Sequence, residues 1–98
     1  MIIYLAGPIT GVEDYVKQFA EAETELTAQG HTVLNPAMLP VGLGDCDAYM
    51  KICMPMIDVA EAIVLLDGWH KSYGARREFG YAMALNKIIV EFNEMGAD

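Results

Sequence analysis

The chain has 98 residues, a net charge of −8 at neutral pH and six Lys and Arg residues, which form no cluster larger than Arg76-Arg77. This charge argues against polymeric nucleic acid and anionic membranes as partners, because both bind through basic surfaces. A small molecule in a local pocket is left as the expected partner. The length fits one domain, residues 1–98, and the apolar content of 54% leads us to expect a homo-oligomer, a dimer or larger.

The two cysteines and the first apolar run indicate the cellular compartment in which the protein is expected. Cys46 and Cys53 have six residues between them and no second pair accompanies them, so neither a zinc site nor a disulfide framework is indicated. We expect no metal and no cofactor. Residues 2–6 are apolar, but Gly7-Pro8 ends this run and no basic segment precedes it, so a signal peptide or membrane span is not expected. These features predict a cytoplasmic protein with reduced thiols.

Apolar runs and helix-forming segments alternate along the first half of the chain. Residues 2–6 are rich in β-formers and predict a first strand, which a tight turn over residues 7–11 follows. From residue 12 or 13 to residue 29, apolar side chains recur at helical spacing, and Gly30 then ends the predicted helix. Residues 31–35 predict a second strand.

The middle of the chain predicts a loop, a helix and a strand. Residues 37–45 contain Pro and Gly at several positions and predict a loop, long enough for a lid or an interface arm. Asp47 is the predicted N-cap of the next helix. Pro55 is expected to kink or divide this helix, so that Asp58 lies on its second part. Residues 62–66 predict the third strand, which is continuously apolar.

The last quarter of the chain predicts a helix and a final strand. The helix covers residues 73–86 with Ser72 as its N-cap, and the strand covers residues 87–92 before a polar tail. Four strands separated by helices predict a three-layer α/β domain of the flavodoxin-like or Rossmann-like kind, with a parallel sheet and right-handed crossovers.

The expected strand order locates a candidate site. In the order 2-1-3-4, the switch point at which ligands bind lies between strands 1 and 3. The loops that follow these strands are residues 7–11 and 67–72. Glu78, a carboxylate in the second turn of the third helix, would then lie over the crevice between the two loops. Glu78 is therefore a candidate catalytic residue.

Each of these features also has an ordinary structural interpretation. The loop over residues 7–11 is either a cradle for phosphate or sugar or a plain tight turn, because it matches no established phosphate-binding motif. Glu78 is either a reacting carboxylate or a solvated helical residue. Trp69 is either a platform on which a base stacks or an interface anchor. The residues alone leave these alternatives open.

Two motifs stand at the predicted switch point. In the sequence between these motifs, Ala60-Glu61-Ala62 leads into the third strand. The motifs are Tyr4-x-x-Gly7-x-Ile9-x-Gly11 and Ser72-x-Gly74-x-x-x-Glu78-x-Gly80. Together they resemble the nucleoside 2-deoxyribosyltransferase superfamily. The second motif is similar in spacing to that of the 2'-deoxynucleoside 5'-monophosphate N-glycosidases, and the whole sequence resembles small uncharacterised relatives from phages and bacteria.

The resemblance implies an enzyme that cleaves the N-glycosidic bond of a small nucleoside or nucleotide through an oxocarbenium-like state. Glu78 matches the nucleophile of the family. Asp58 is the carboxylate nearest to the expected second acid. The residues that the resemblance and the two loops nominate for substrate binding are Tyr4, Gly7, Pro8, Ile9, Thr10, Gly11, Asp67, Trp69, Ser72 and Gly74.

Two departures from the family pattern keep a non-catalytic alternative open. Counting back from the third strand puts Cys53 near the position of the second acid, and a base without a general acid leaves more slowly. Thr10 stands where the monophosphate branch has a basic residue, so a phosphate would lose a charge-assisted contact. The chain is thus either an N-glycosidase or deoxyribosyltransferase, or a protein that binds and sequesters a small nucleotide. An oligomeric scaffold with a vestigial pocket is a third possibility.

Overall fold

The computed structural model describes residues 1–95, and the last three residues of the predicted polar tail, 96–98, lie outside the described residues. The strands are β1 (Ile2–Ala6), β2 (Thr32–Leu34), β3 (Ala62–Leu65) and β4 (Ile88–Glu91). The helices are α1 (Tyr15–Ala28), α2 (Cys46–Val59), α3 (Tyr73–Ala84) and α4 (Phe92–Met95), and two 3₁₀ turns lie at Pro36–Met38 and Trp69–Lys71. Among residues 1–95, none of the helices has both the length and the apolar character that crossing a membrane requires.

The four strands form one parallel sheet in the order β2-β1-β3-β4, which confirms the predicted topology. Tyr4 of β1 pairs with Leu34 of β2 on one side and with Ile63 of β3 on the other. β1 and β3 are the central strands, and every residue of β3 is buried. Strands that are covered on both faces are apolar throughout, which accounts for their continuous apolar runs in the sequence.

Helices cover both faces of the sheet and form two cores. Successive side chains of a strand point to opposite faces, so Ile3 packs with Phe19 of α1 on one face. Tyr4 points to the other face, where it packs with Ile57 of α2 and Ala82 of α3. The domain therefore has the three-layer α/β architecture that the sequence predicted.

α2 differs from the prediction at its start and at its proline. Its N-cap is Asp45 rather than Asp47, because the Asp45 Oδ1 atom accepts a hydrogen bond from the backbone N–H of Ala48 at 3.1 Å. Pro55 does not divide the helix, which continues to its end at residue 59. A helical proline removes the hydrogen bond to the carbonyl four residues earlier. Here Pro55 and Lys51 are both exposed, so water can hydrate that carbonyl.

The ends of three other elements also differ from the prediction. α1 begins at Tyr15, because residues 10–14 form a turn and the N-cap Asp14 makes no side-chain capping bond. β2 is shorter than predicted, and Asn35 instead accepts a hydrogen bond from the N–H of Ala37 at 2.9 Å, which caps the following 3₁₀ turn. The predicted fourth strand ends early because Phe92 begins α4 and packs against the core on the α1 face.

We predict opposite effects on stability for alanine at two glycines, Gly7 and Gly80. A Cβ at Gly7 would lie 2.9 Å from the Cβ of Leu66. Both atoms are fixed to the backbone, so Gly7→Ala should lower the free energy of unfolding by about 1–3 kcal/mol. A Cβ at Gly80 would meet nothing within 4 Å, so Gly80→Ala should raise it by roughly 0.5–1 kcal/mol. Urea unfolding measures both, and a stabilising Gly7→Ala would contradict this packing.

Candidate functional site

A cavity of about 820 Å³ opens where β1 and β3 end, which is the switch point that the strand order predicts. Residues of the loop after β1 form one wall. Residues between positions 36 and 53 form a second, and residues 71–75 with Glu78 form a third. The volume falls within the range of pockets that hold small-molecule ligands. The cavity therefore lies where parallel α/β domains bind ligands.

Glu78 is the buried carboxylate of this cavity. It lies in the second turn of α3 with 5% of its surface exposed, and the Tyr4 hydroxyl donates a hydrogen bond to its Oε2 atom. Burial raises the pKa of Glu78 from its usual 4.5 to about 7, while the hydrogen bond from Tyr4 acts in the opposite direction. A carboxyl group in a cavity with a strongly raised pKa is typical of a functional site.

Tyr4 and Cys53 remain neutral beside this carboxylate at physiological pH. Burial raises the pKa of Tyr4 well above its usual range, and the charge of Glu78 adds to the shift. Burial also raises the pKa of the Cys53 thiol to about 11. Tyr4 has no exposed surface and lies beneath the cavity, whereas Cys53 lines it. Within this cluster, Glu78 is thus the group that changes charge near neutral pH.

Two helices begin at the wall of the cavity. The Ser72 Oγ atom accepts a hydrogen bond from the N–H of Ala75 at 3.2 Å, which confirms Ser72 as the N-cap of α3. Asp45 caps α2 in the same way, and both caps line the cavity. First-turn N–H groups lack acceptors within their helix and carry the positive end of its dipole. The wall therefore offers backbone donors from two helices, and Lys71 adds a cation.

The structure brings about half of the predicted site residues to the cavity. Those that line it are Gly7, Ile9, Thr10, Ser72, Gly74 and Glu78. Tyr4 acts on the cavity only through Glu78. The predicted site residues that do not line it are Pro8, Gly11, Asp58, Asp67 and Trp69. The loop after β1 thus contributes some of its residues to the cavity, and the remainder face elsewhere.

Asp58 is the main correction to the predicted site, because the structure does not place it near the cavity. Its carboxylate is exposed and accepts a hydrogen bond from the Tyr81 hydroxyl at 2.5 Å. Asp58 lies five positions after the cavity-lining Cys53 along α2, which rotates it by about 140° around the helix axis. A second acid at Asp58 would therefore face α3 rather than a ligand beside Glu78.

Trp69 and Asp67 also lie outside the cavity. The Trp69 ring packs on Phe79 with ring centroids 4.8 Å apart, and its Nε1 atom donates a hydrogen bond to Glu91 at 3.2 Å. These contacts fix the indole against α3 and the end of β4, so it is not a stacking platform in this cavity. Asp67 is exposed, and its backbone carbonyl accepts a hydrogen bond from Gln18 at 3.2 Å.

Sequence reasoning missed three aromatic side chains of the cavity, Tyr15, Tyr49 and Tyr73. Tyr49 also donates its hydroxyl to the carbonyl of Pro40 at 2.8 Å, which ties the loop before α2 to the helix. Helical spacing from Tyr49 to Cys53 was a signal that both share one face of α2. That pattern fits a core face equally well, so the sequence alone did not identify the cavity wall.

We predict that Tyr4→Phe raises the pKa of Glu78 above 7. The substitution removes the hydroxyl that donates to the carboxylate, and a lost donor to the charged form favours the protonated form. Carboxyl ¹³C NMR of the labelled protein, titrated with pH, measures this. Tyr81→Phe is the matched control, because the Tyr81 hydroxyl bonds Asp58 instead. A Glu78 pKa that stays the same in Tyr4→Phe would contradict the assigned hydrogen bond.

Residues 1–91 match the family described as a domain of unknown function, DUF4406. A comparison with curated proteins finds no match. The family description names no activity. The match contains all four strands and every residue that lines the cavity, and the chain therefore belongs to the DUF4406 family.

Proposed function

We propose that this protein cleaves the N-glycosidic bond of a small 2'-deoxynucleoside or its 5'-monophosphate, with Glu78 as the nucleophile. The observation that carries the proposal is a buried carboxylate with a pKa of about 7 on the wall of a nucleotide-sized cavity. Such a carboxylate can stabilise or trap a cationic sugar, as in retaining glycosidases. The two loop motifs, which resemble those of the nucleoside 2-deoxyribosyltransferase superfamily, support the substrate class.

The proposed reaction has two steps. In the first, an ionised oxygen of Glu78 forms a bond to C1' of the sugar while the bond from C1' to the base nitrogen breaks, and the base leaves with the electron pair. A sugar without a 2'-hydroxyl suits this step because its cation forms more easily. In the second step, water hydrolyses the ester and restores the carboxylate. A second base in place of water would make the protein a deoxyribosyltransferase.

The leaving base receives little help from the acidic groups of the cavity. Asp45 lines the cavity, but it is exposed and caps α2 with its carboxylate. The Cys53 thiol, with a pKa raised to about 11, is a weak acid. We therefore expect the departing base to take its proton from water, which limits the rate of the first step.

The walls of the cavity suit the parts of a nucleotide. Tyr15, Tyr49 and Tyr73 offer flat apolar surface to a base. Backbone donors at the start of α2 and α3 suit an anion such as a 5'-phosphate. Thr10 supplies no charge to the loop after β1, so Lys71 is the cation that would assist. These features favour a nucleoside or its monophosphate as the ligand.

The second candidate function is binding of a small nucleotide without turnover. The observation that favours it is that Cys53, rather than a second carboxylate, lies beside Glu78 in the described part of the chain. Calorimetric titration with deoxynucleosides and their monophosphates separates the two functions. Tight binding without release of free base would support sequestration over catalysis.

We predict that Glu78→Gln abolishes release of free base from 2'-deoxynucleosides or their 5'-monophosphates, lowering kcat by at least about 10³-fold. Glutamine keeps the shape of the side chain but cannot form the glycosyl ester. Asp58→Asn is the matched control, and because its side chain faces Tyr81 we expect kcat within about threefold of the native protein. Liquid chromatography of the released bases measures both. Absence of release by the native protein would refute the catalytic proposal.

We also predict the direction of the pH dependence. The nucleophile must be ionised, so kcat/KM should rise with pH through about 7, the pKa of Glu78, and then level. Cys53 titrates only at about 11, so no other group of this cluster ends the plateau near neutral pH. Initial rates between pH 5 and pH 9 measure the profile. Rates that fall as the pH rises through 7 would mean that protonated Glu78 is the active form.

A further inference from the structure

Arg77 contacts two residues of the cavity wall without lining the cavity itself. It lies in the second turn of α3, four positions after Tyr73. Its guanidinium carbon is 5.5 Å from the centroid of the Tyr73 ring, and its Nη1 atom donates a hydrogen bond to the Cys46 sulfur at 3.8 Å. Tyr73 and Cys46 both line the cavity. Arg77 can therefore act on a ligand through the side chains that it contacts.

An ion pair holds the guanidinium at this place. The Nη1 atom of Arg77 lies 2.6 Å from Oδ1 of Asp47, in the first turn of α2. A guanidinium is planar and has several donors, so it can bond a carboxylate and lie over a ring at the same time. The two side chains are 31% and 73% exposed, and ion pairs this exposed contribute little to stability. The effect of this pair is therefore expected in the geometry of the wall rather than in the stability of the fold.

Tyr73 is the most exposed of the three tyrosines of the cavity. It is 62% exposed, whereas Tyr15 and Tyr49 are half-buried. An exposed ring moves among rotamers unless a neighbour restrains it, and a ligand that stacks on a mobile ring loses affinity because binding must order that ring. The guanidinium of Arg77 over the ring is a restraining contact of the cation–π kind.

We propose that Arg77 is a positioning residue of the cavity, which holds the Tyr73 ring in one orientation so that a nucleobase stacks on it. The nucleobase as the stacked group rests on the proposed function, whereas the contacts of Arg77 do not. The guanidinium covers one face of the ring, so a ligand meets the other face or the edge. Asp47 acts one step further away, because it holds the guanidinium.

A purely electrostatic role for Arg77 makes a different prediction. The chain has a net charge of −8, and a cation near the cavity attracts anionic ligands. Loss of that charge would weaken the binding of a 5'-monophosphate and leave a neutral nucleoside unaffected. Loss of the ring orientation would weaken both ligands by the same factor, because both contain the base.

The first measurement needs no ligand. The order parameter of the Tyr73 ring, from ¹³C relaxation of the labelled protein, should fall by about 0.2 in Arg77→Gln. Asp47→Asn releases the guanidinium and should shift the order parameter in the same direction. Arg76→Gln is the matched control with no change expected, because the Arg76 guanidinium donates to the carbonyl of His70 at 3.5 Å. An unchanged order parameter in Arg77→Gln would overturn the proposal.

The second measurement is calorimetric titration with a 2'-deoxynucleoside and with its 5'-monophosphate. Arg77→Gln should weaken the binding of each by about 3–10-fold. With either ligand, Arg77→Gln should cause no further loss when it is combined with Tyr73→Leu, because Arg77 acts through the ring. Weakening of the monophosphate alone, or a further loss without the ring, would overturn the positioning role. Circular dichroism verifies that each variant is folded, and Asp47→Asn serves if Arg77→Gln does not fold.

The two measurements separate this inference from the proposed function. If the native protein binds neither ligand, the proposed function fails, and the ring measurement alone decides whether Arg77 positions Tyr73. If base release is found, KM should rise by about 3–10-fold in Arg77→Gln with kcat within about twofold of native, because the ring holds the base and not C1'. A lower kcat at unchanged KM would overturn the positioning role and leave the glycosidase proposal intact.

Discussion

The hydrogen bond between Tyr4 and Glu78 is the interaction on which the candidate site depends. It joins the central strand β1 to α3 across the core, and both side chains are buried. A carboxyl group at this depth is unfavourable when ionised unless donors compensate for the lost water. The strand holds the phenol beneath the carboxylate, so the ionisation of Glu78 is set by the core of the domain rather than by its surface. The candidate site and the core of the fold therefore share this contact.

The rest of the site follows from the parallel sheet. All strands end at the same edge and all crossover helices start there, so the loop after β1 and the first turns of α2 and α3 meet around one cavity. The helix starts supply backbone donors, and the tyrosines supply apolar surface. Glu78 is the buried carboxylate of the cavity. The Asp45 carboxylate caps α2, and the Asp58 carboxylate accepts a hydrogen bond from Tyr81. Either proposed function would therefore depend on the carboxylate of Glu78.

Cys53 stands near the position where the resembling family has its second acid, so this site holds a thiol where a second carboxylate is expected. A second carboxylate at this depth would repel Glu78 and raise its pKa further. A thiol with a pKa of about 11 instead carries no charge at neutral pH. In the proposed glycosidase reaction, a neutral thiol leaves Glu78 easier to ionise than a second carboxylate would, but it is a poor general acid for the leaving base. Because a thiol replaces the expected second carboxylate, the cavity is consistent both with slow glycosidase chemistry and with nucleotide binding without turnover.

The sequence by itself determined the alternation of strands and helices, the Ser72 cap and the place of Glu78 in the third helix, because periodicity and capping are local properties of the chain. The strand order and the switch point were expected from the fold class that this alternation predicts, and the pairing of distant strands confirms them. It did not determine which way Asp58 and Trp69 face. Those orientations depend on the rotation of α2 and on the Trp69 contacts with Phe79 and Glu91, which form only when distant segments pack. Tertiary structure alone also brought Tyr4 under Glu78, since hydrogen bonding between residues 74 positions apart has no signature in local spacing.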